Sequence, residues 1–546
     1  MKITYKDKVF DINEKIKISE LMKDEIQNSN YTVVGAKFNN EYEHLNFELK
    51  TDGKLELIDI SQKEGMNIYR RTLIYIMGKA FEEKYVGKKI SVNYQLGNAI
   101  YCNVQDMETT EEFVVDIEKR MREIVNQNLK IEKVEFTREE AERYYEENHT
   151  AKGRLQIDFK ENGIIYMYKC EDYCNYFYGE VANFTGVTKV FELKKYNKGF
   201  IIRYPSTKNP YELSEYKETK KLAWAFEEYD KIHKILNTER VYKLNKAVKE
   251  NRIKEIIMMD EALHEKKIAN IADKIAQRKG IKMILIAGPS SSGKTTFAQR
   301  LGVQLKLDGI KPVTISVDNY FVERCDNPKT EDGEYDFECI EAIDTELLND
   351  HLTKLLNGEE IEVPEFDFKV GTKRYNGKKL KLAEDEVLVM EGIHCLNDKL
   401  TNRIPLEQKY KIYISALTVL NMDRYNRIST TDTRLVRRIV RDYQFRGYSA
   451  KETIKTWSKV NRGEQLNIFP FQESADSIFN TSLIYELGAL KNIAMPLLEN
   501  ITPKDEQYAE ARRIINMLKF FEPIDTELIP SKSLLKEFLG GGDFRQ

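Results

Sequence analysis

The stretch Gly288-Pro-Ser-Ser-Ser-Gly-Lys-Thr-Thr296 constrains this chain more than any other. It follows the apolar run Met283–Ala287 and precedes a helical pattern that opens at Phe297. Gly-x-x-x-x-Gly-Lys-Thr between a buried strand and a helix start has the spacing of a phosphate-binding loop. Small residues let successive backbone N–H groups turn inward around phosphate oxygens. The helix that follows adds free N–H donors and the positive end of its dipole. Gly288, Pro289, Ser290, Ser291, Ser292, Gly293, Lys294, Thr295 and Thr296 are therefore the candidate nucleotide cradle. In such a cradle the Lys294 ammonium reaches the terminal phosphates and the Thr295 hydroxyl ligates Mg²⁺.

Downstream, the short apolar runs Val313–Val317, Val387–Met390 and Ile412–Ser415 alternate with helical patterns. Alternation of this kind predicts a parallel sheet covered on both faces. Ligands of such sheets sit at the carboxyl ends of the strands. Two acids fall there: Asp318 after Val317 and Glu391 after Met390. Four apolar residues followed by an acid suit a magnesium-holding carboxylate, so Glu391 joins Thr295 as a candidate metal ligand. Asp318 is placed to accept a proton from an attacking hydroxyl. Further on, Arg434, Arg437, Arg438 and Arg441 recur at helical spacing, with Arg446 beyond them. A basic helix that closes over nucleotide would neutralise charge on a transferring phosphoryl group; a solvated basic face is the plainer alternative.

With 546 residues, the chain has room for several domains. It carries 86 basic and 89 acidic residues, so no overall basicity points to nucleic acid. Six cysteines in such a length do not make a disulfide framework and fit a reducing compartment. The amino terminus lacks the apolar core of a signal peptide, and no run approaches the ~20 apolar residues that span a bilayer. A cytoplasmic protein is expected.

The amino-terminal half is patterned differently. Ile3–Phe10, Thr32–Phe38 and Lys54–Ile60 read as strands and Ile18–Ile26 as a helix, a small α+β module. Glu111–Gln127 has helical spacing, and Thr137 with Glu140 forms a capping-box pattern at the head of another helix. Residues 211–279 read as a helical connector ended by Gly280, and the last residues as a helix and loose tail around Gly540-Gly-Gly542.

The ordered set Gly288–Thr296, Ser316-Val-Asp-Asn-Tyr320, Tyr335-Asp-Phe-Glu338, Pro364-Glu-Phe-Asp-Phe368, Glu391-Gly-Ile393 and Asp432-Thr-Arg-Leu-Val-Arg-Arg438 resembles the uridine kinase/phosphoribulokinase family. The resemblance implies a kinase using ATP and Mg²⁺ on a small-molecule substrate, with a nucleoside 5′-hydroxyl as acceptor. It implies Asp318 as general base, Glu338 on the ribose hydroxyls, and Phe337, Phe366 and Phe368 around the base. Arg434 and Arg438 would belong to the lid, and Arg374 would lie on the substrate side if one residue is inserted. Phe321 and Phe366 stand where Tyr is usual, and Gly371 replaces a His that helps to read the pyrimidine.

Residues 1–60 resemble the ubiquitin-like TGS module, and residues 61–210 the editing-side domain of threonyl-tRNA synthetase. At that domain's ligand positions stand Arg71, Tyr75, Cys174 and Tyr178, a set that does not supply neutral imidazoles. Editing hydrolysis is not expected, whereas contact with RNA or tRNA is an open expectation. The predicted architecture is multidomain: TGS-like module (1–60), editing-like domain (61–210), connector (211–280), α/β P-loop kinase (281–520) and carboxyl-terminal helix and tail (521–546). A kinase for another hydroxyl compound and an ATP-switched RNA-binding regulator are the alternative functions.

Overall fold

The computed structural model describes residues 1–147, 164–329, 333, 335–367 and 370–544. Residues 1–59 form a five-stranded sheet in the order Lys8–Asp11, Lys2–Tyr5, Gly53–Asp59, Val33–Phe38, Glu41–Glu43. The predicted single strand over Ile3–Phe10 is a hairpin, because Lys6 takes a positive φ of 51° and turns the chain back. The next unit pairs the long helix Lys63–Lys84 and the helix Glu111–Gln127 with a four-stranded antiparallel sheet, Glu192–Tyr196, Gly199–Arg203, Ala99–Gln105, Lys89–Leu96. Thr110 caps Glu111–Gln127 by accepting from Phe113 N. Thr137 and Glu140 form the expected reciprocal cap: Glu140 N donates to Thr137 Oγ1 at 3.2 Å and Thr137 N to Glu140 Oε2 at 2.8 Å.

The carboxyl-terminal half holds a five-stranded, wholly parallel sheet: Lys311–Ser316, Glu386–Glu391, Met283–Ala287, Lys409–Ser415, Ser477–Asn480. Met283–Ala287 is central and buried throughout, as a strand covered on both faces must be. The multidomain α/β plus α+β organisation read from the sequence is the one observed. Among the described residues no helix is long and apolar enough to cross a membrane.

Two segments are more tightly integrated than their composition suggests. The region after residue 211 forms helices Lys220–Ile235, Val241–Lys249 and Ile253–Gln277. Ile256, Ile257, Ile268, Ile271 and Ile275 of the last helix share one buried core with Ile284, Ile286 and Phe297. It is a layer of the carboxyl-terminal fold as much as a link between halves. The expected loose tail is also packed: Leu534, Leu535 and Phe538 are fully buried, and Ser533 Oγ lies 3.2 Å from Tyr485 Oη. Three apolar side chains in an otherwise irregular segment explain the docking.

The halves are stitched together by residues 417–429, which run from the strand Lys409–Ser415 to the helix Thr430–Arg441. Val92 N donates to Arg424 O at 2.8 Å, at an irregularity in the strand Lys89–Leu96. Asn421 Nδ2 donates to Asn93 O at 3.0 Å, and Tyr178 N donates to Asn426 Oδ1 at 2.7 Å.

Candidate active site

The phosphate loop leaves the central strand and opens the helix Lys294–Leu307. Gly293 caps that helix with a φ of +85°, a conformation glycine adopts without penalty. A Cβ at Gly288 would lie 2.2 Å from Ile414 O, so glycine is required there by close packing. Lys294 Nζ spans the loop and donates to Gly288 O at 3.1 Å. Thr295 Oγ1 donates to Glu391 Oε1 at 3.0 Å. A hydroxyl and a carboxylate side by side on a ring of amides form a donor set that suits a hard divalent cation bound with phosphate.

Asp318 is the second residue of the turn Val317–Tyr320, which follows the strand Lys311–Ser316, and Ser316 Oγ accepts from its N–H at 3.3 Å. It keeps solvent contact at the cleft rim, yet the surrounding protein strips away enough water to raise its carboxyl above the ordinary range, against the pull of Lys294 and Arg446. Glu391 is raised for the same reason, opposed by Lys294 and Thr295 and reinforced by Asp318 and Glu537. Burial also lifts Glu338 to about 7, helped by Glu464 and opposed by Arg438 and Lys294. The charge of Lys294 thus opposes the rise at Asp318, Glu391 and Glu338 alike.

Phe366 sits on a hairpin, Glu365–Asp367 with Thr372–Arg374, packed against the Asp318 turn. Phe321 lies 5.6 Å from Phe366 and 6.5 Å from Phe337, centroid to centroid. Phe366 is buried whereas Phe337 is 43% exposed, so only the latter has a broad free face. Tyr335, 5.9 Å from Phe337, extends this wall and was not singled out from the sequence. Arg374 is exposed on the same hairpin and pairs with Asp367 at 3.0 Å. Phe368 lies outside the described residues.

The arginine helix, Thr430–Arg441, differs most from expectation. Arg434 and Arg437 point inward and are essentially fully buried. Arg434 forks onto Glu464, with Nη2 to Oε2 at 2.7 Å, stacks 5.3 Å from the Trp457 ring centroid, and donates to Ser290 O at 3.0 Å. Glu464 in turn accepts from Ser290 N at 2.9 Å, so the pair grips both polar ends of one loop residue from behind. Arg437 pairs with Glu486 at 2.5 Å. Arg438 is the member that reaches the cradle from its open side, donating to Ser290 Oγ at 3.0 Å. Asp442 anchors it at 3.2 Å and also pairs with Arg441 at 2.7 Å. The helix is a packed element, held by carboxylates from other parts of the chain, and neither a solvated face nor a detached flap.

Four carboxylates escaped the sequence reading, Glu486 on Arg437 among them. Asp442 carried a faint signal, four residues after Arg438. Glu464 and Glu537 carried none, because their partners lie far away in sequence. Glu537 Oε2 accepts from Thr296 N at 3.2 Å, so the docked carboxyl-terminal segment places an acid on one of the amides at the head of the loop helix.

In the amino-terminal domain the four substituted positions are engaged otherwise. Arg71 pairs with Glu64, Tyr75 Oη donates to Tyr168 O and Tyr173 O at 3.1 Å, Cys174 is buried as a free thiol, and Tyr178 Oη donates to Arg513 O. Among the described residues, no group of three or more His, Cys, Asp or Glu side chains is arranged to hold a metal ion.

Comparison with known proteins matches both halves. A threonine–tRNA ligase of Clostridium tetani is 32% identical over 195 residues, covering 35% of this chain and 30% of that protein. The chain therefore spans under a third of the length of such ligases. A uridine kinase of Brevibacillus brevis is 29% identical over 231 residues, 41% of this chain and 96% of that protein. A uridine kinase of Mycoplasma genitalium is 32% identical over 182 residues, 33% of this chain and 76% of that protein. The phosphoribulokinase/uridine kinase family profile matches residues 283–483, the span that carries the loop, the parallel sheet and the carboxylates described above. Through that span, the chain belongs to the phosphoribulokinase/uridine kinase family.

Proposed function

We propose that the protein transfers a phosphoryl group from ATP to the 5′-hydroxyl of a nucleoside. The observation that supports this reading is the hydrogen bond from Thr295 Oγ1 to Glu391 Oε1 at 3.0 Å beside the phosphate loop, with the charge of Lys294 acting on Asp318, Glu391 and Glu338 alike. ATP supplies the phosphoryl group, and Mg²⁺, when bound, offsets charge on its phosphates. The loop amides from Gly288 to Thr296 would hold the phosphate chain, with Thr295 and Glu391 as metal-side oxygens. Asp318 would accept the hydroxyl proton; its raised carboxyl pKa makes it a stronger base than an ordinary aspartate. Glu338 would accept from ribose hydroxyls, and Phe337 would offer its exposed face to the base. Arg438, already on the loop's open side, would face the charge that develops on the phosphoryl oxygens. Arg434, buried behind Ser290, would position the loop without touching substrate.

The test is a panel of nucleosides, sugar phosphates and other small alcohols with ATP and Mg²⁺, read as acceptor-dependent ADP release. A clear preference for a nucleoside is expected, and Asp318→Asn should lower its turnover by at least about a hundredfold while ATP affinity persists. Release favouring a non-nucleoside alcohol would reassign the acceptor. Near-normal turnover in Asp318→Asn would remove that residue as the base. The kinship of the amino-terminal half with threonine–tRNA ligases favours one further reading, in which ATP switches an RNA-binding surface. It requires ADP release that no small acceptor stimulates and a salt-dependent tRNA complex.

A further inference from the structure

At the seam between the halves lies a cavity of about 310 Å³ that none of the proposed chemistry uses. Its walls come from three sources: the adjacent strands Lys89–Leu96 and Ala99–Gln105, the helical segment around residues 234–243, and the kinase-side residues Asp423 and Arg424. That volume is at the lower end of small-ligand pockets.

The lining is polar, and its hydrogen bonding is incomplete. Ser91 and Asn93 are 1% and 4% exposed, yet Ser91 Oγ and Asn93 Oδ1 have no hydrogen-bond partner, and neither does Glu239 Oε2. Buried polar atoms are seldom left unpaired without a ligand or ordered water to meet them. The charges are unbalanced as well. Among the lining residues Lys234, Arg240, Lys243 and Arg424 outnumber Glu239 and Asp423, and Asp230 behind them also acts on Arg240. Lys234 is taken by Asp230 at 2.6 Å and Lys243 by Glu239 at 2.5 Å. Asp423 Oδ1 accepts from the backbone N–H of Tyr425 and Asn426, both at 2.7 Å. Among the described residues, neither guanidinium, of Arg240 or of Arg424, makes a hydrogen bond, and Arg240 is only 8% exposed. Two free forks call for a carboxylate or phosphate, whose oxygens they match in pairs. The unpaired acceptors on Asn93 and Glu239 call for donors on the same molecule.

We propose that this chamber binds a small organic anion that also carries hydroxyl groups, a phosphorylated or carboxylated polyol. Its anionic group lies between Arg240 and Arg424, and its hydroxyls meet Ser91 Oγ, Asn93 Oδ1 and Glu239 Oε2. Arg424 is the residue whose carbonyl pairs with Val92, and the chain runs from it to the arginine helix within a few residues. Occupancy therefore tightens the seam between the halves.

The experiment uses the full chain, with ribose 5-phosphate and gluconate as probes and ribose as the uncharged control, read by titration calorimetry and thermal shift. Both anions are expected to bind in the micromolar-to-millimolar range and to raise the melting temperature, while ribose does neither. Arg424→Ala should weaken binding at least about tenfold, the loss of one charge-assisted contact. Ser91→Ala removes a hydroxyl that has no partner in the free chain, so it should leave the melting temperature of the free protein unchanged or raised while reducing the ligand-induced shift. Lys294→Ala, at the phosphate loop, should leave probe binding intact. Absence of binding by either anion, binding unaffected by both Arg424→Ala and Ser91→Ala, or binding abolished by Lys294→Ala would each overturn the assignment.

Discussion

Replacing Glu464 by Gln changes almost no volume and removes one buried charge, which isolates the role of the Arg434 pair. Glu464 Oε1 accepts from Arg434 Nη1 and from Ser290 N, and Oε2 accepts from Arg434 Nη2. In glutamine one oxygen becomes an NH₂ donor. Whichever way the amide turns, that group faces at least one guanidinium N–H, and the arginine charge is left unpaired at 1% exposure. Arg434 Nε already lacks an acceptor, so no spare partner is at hand. Breaking a buried pair in this way costs about 3–5 kcal/mol. At about 2–4 °C per kcal/mol for a kinase-sized domain, the melting temperature should fall by roughly 6–20 °C. The informative companion is Arg434→Met combined with Glu464→Leu. With both charges gone, most of the stability should return, since apolar replacement of buried pairs is often neutral or better. ATP affinity should stay low, because the N–H and C=O of Ser290 have both lost their anchors. Thermal melts and nucleotide titrations on the two variants decide the matter. A drop of less than about 2 °C for Glu464→Gln, or wild-type ATP affinity in the double variant, would refute the view that this pair shapes the loop from behind.

Two further outcomes follow from the site's carboxylates. Glu338 titrates at about 7 in the folded chain against an ordinary 4.5, so between these values the folded state holds a proton that the unfolded chain has released. Its contribution to stability is thus fully present below the lower value and is lost as pH rises through about 7. Ionisation over the same interval prepares it to accept from hydroxyls, so KM for the acceptor should fall as pH rises through neutrality, and Glu338→Gln should flatten that dependence. Glu537→Ala frees Thr296 N and removes an acid that acts on Glu391. An anion at a helix head is worth up to about 2 kcal/mol in such a half-buried position, so ATP affinity should rise by up to about thirtyfold; unchanged or weaker binding in equilibrium titrations would show that the carboxylate does not compete with nucleotide.

Local chemistry was legible in the sequence, and long-range pairing was not. The phosphate loop, the acids after Val317 and Met390 and the reciprocal cap of Thr137 and Glu140 all depend on residues within a few positions of one another. The hairpin at Lys6 was missed because its turn carries none of the glycine or asparagine signals that mark a reversal. The arginine stripe was visible as a stripe, but its direction was not, since Glu464 and Glu486 reach Arg434 and Arg437 from separate helices. Likewise, nothing near Leu534 and Phe538 announces that the first will pack beside Gly293 and the second beside Arg437; the meeting exists only once the chain is folded.

The helix Ile253–Gln277 lies amino-terminal to Gly280, where composition invites a cut, yet its isoleucines belong to the same interior as the strand that carries the nucleotide loop. Excising the catalytic portion at that glycine would strip one wall from its sheet and open Tyr425, now enclosed against Phe177 of the synthetase-like side, to water. Kinship is read in two pieces, yet one interior joins Tyr94, Tyr101 and Ile201 of the first half to Leu285 and Tyr413 of the second, so cutting the halves apart would wet apolar surface on both.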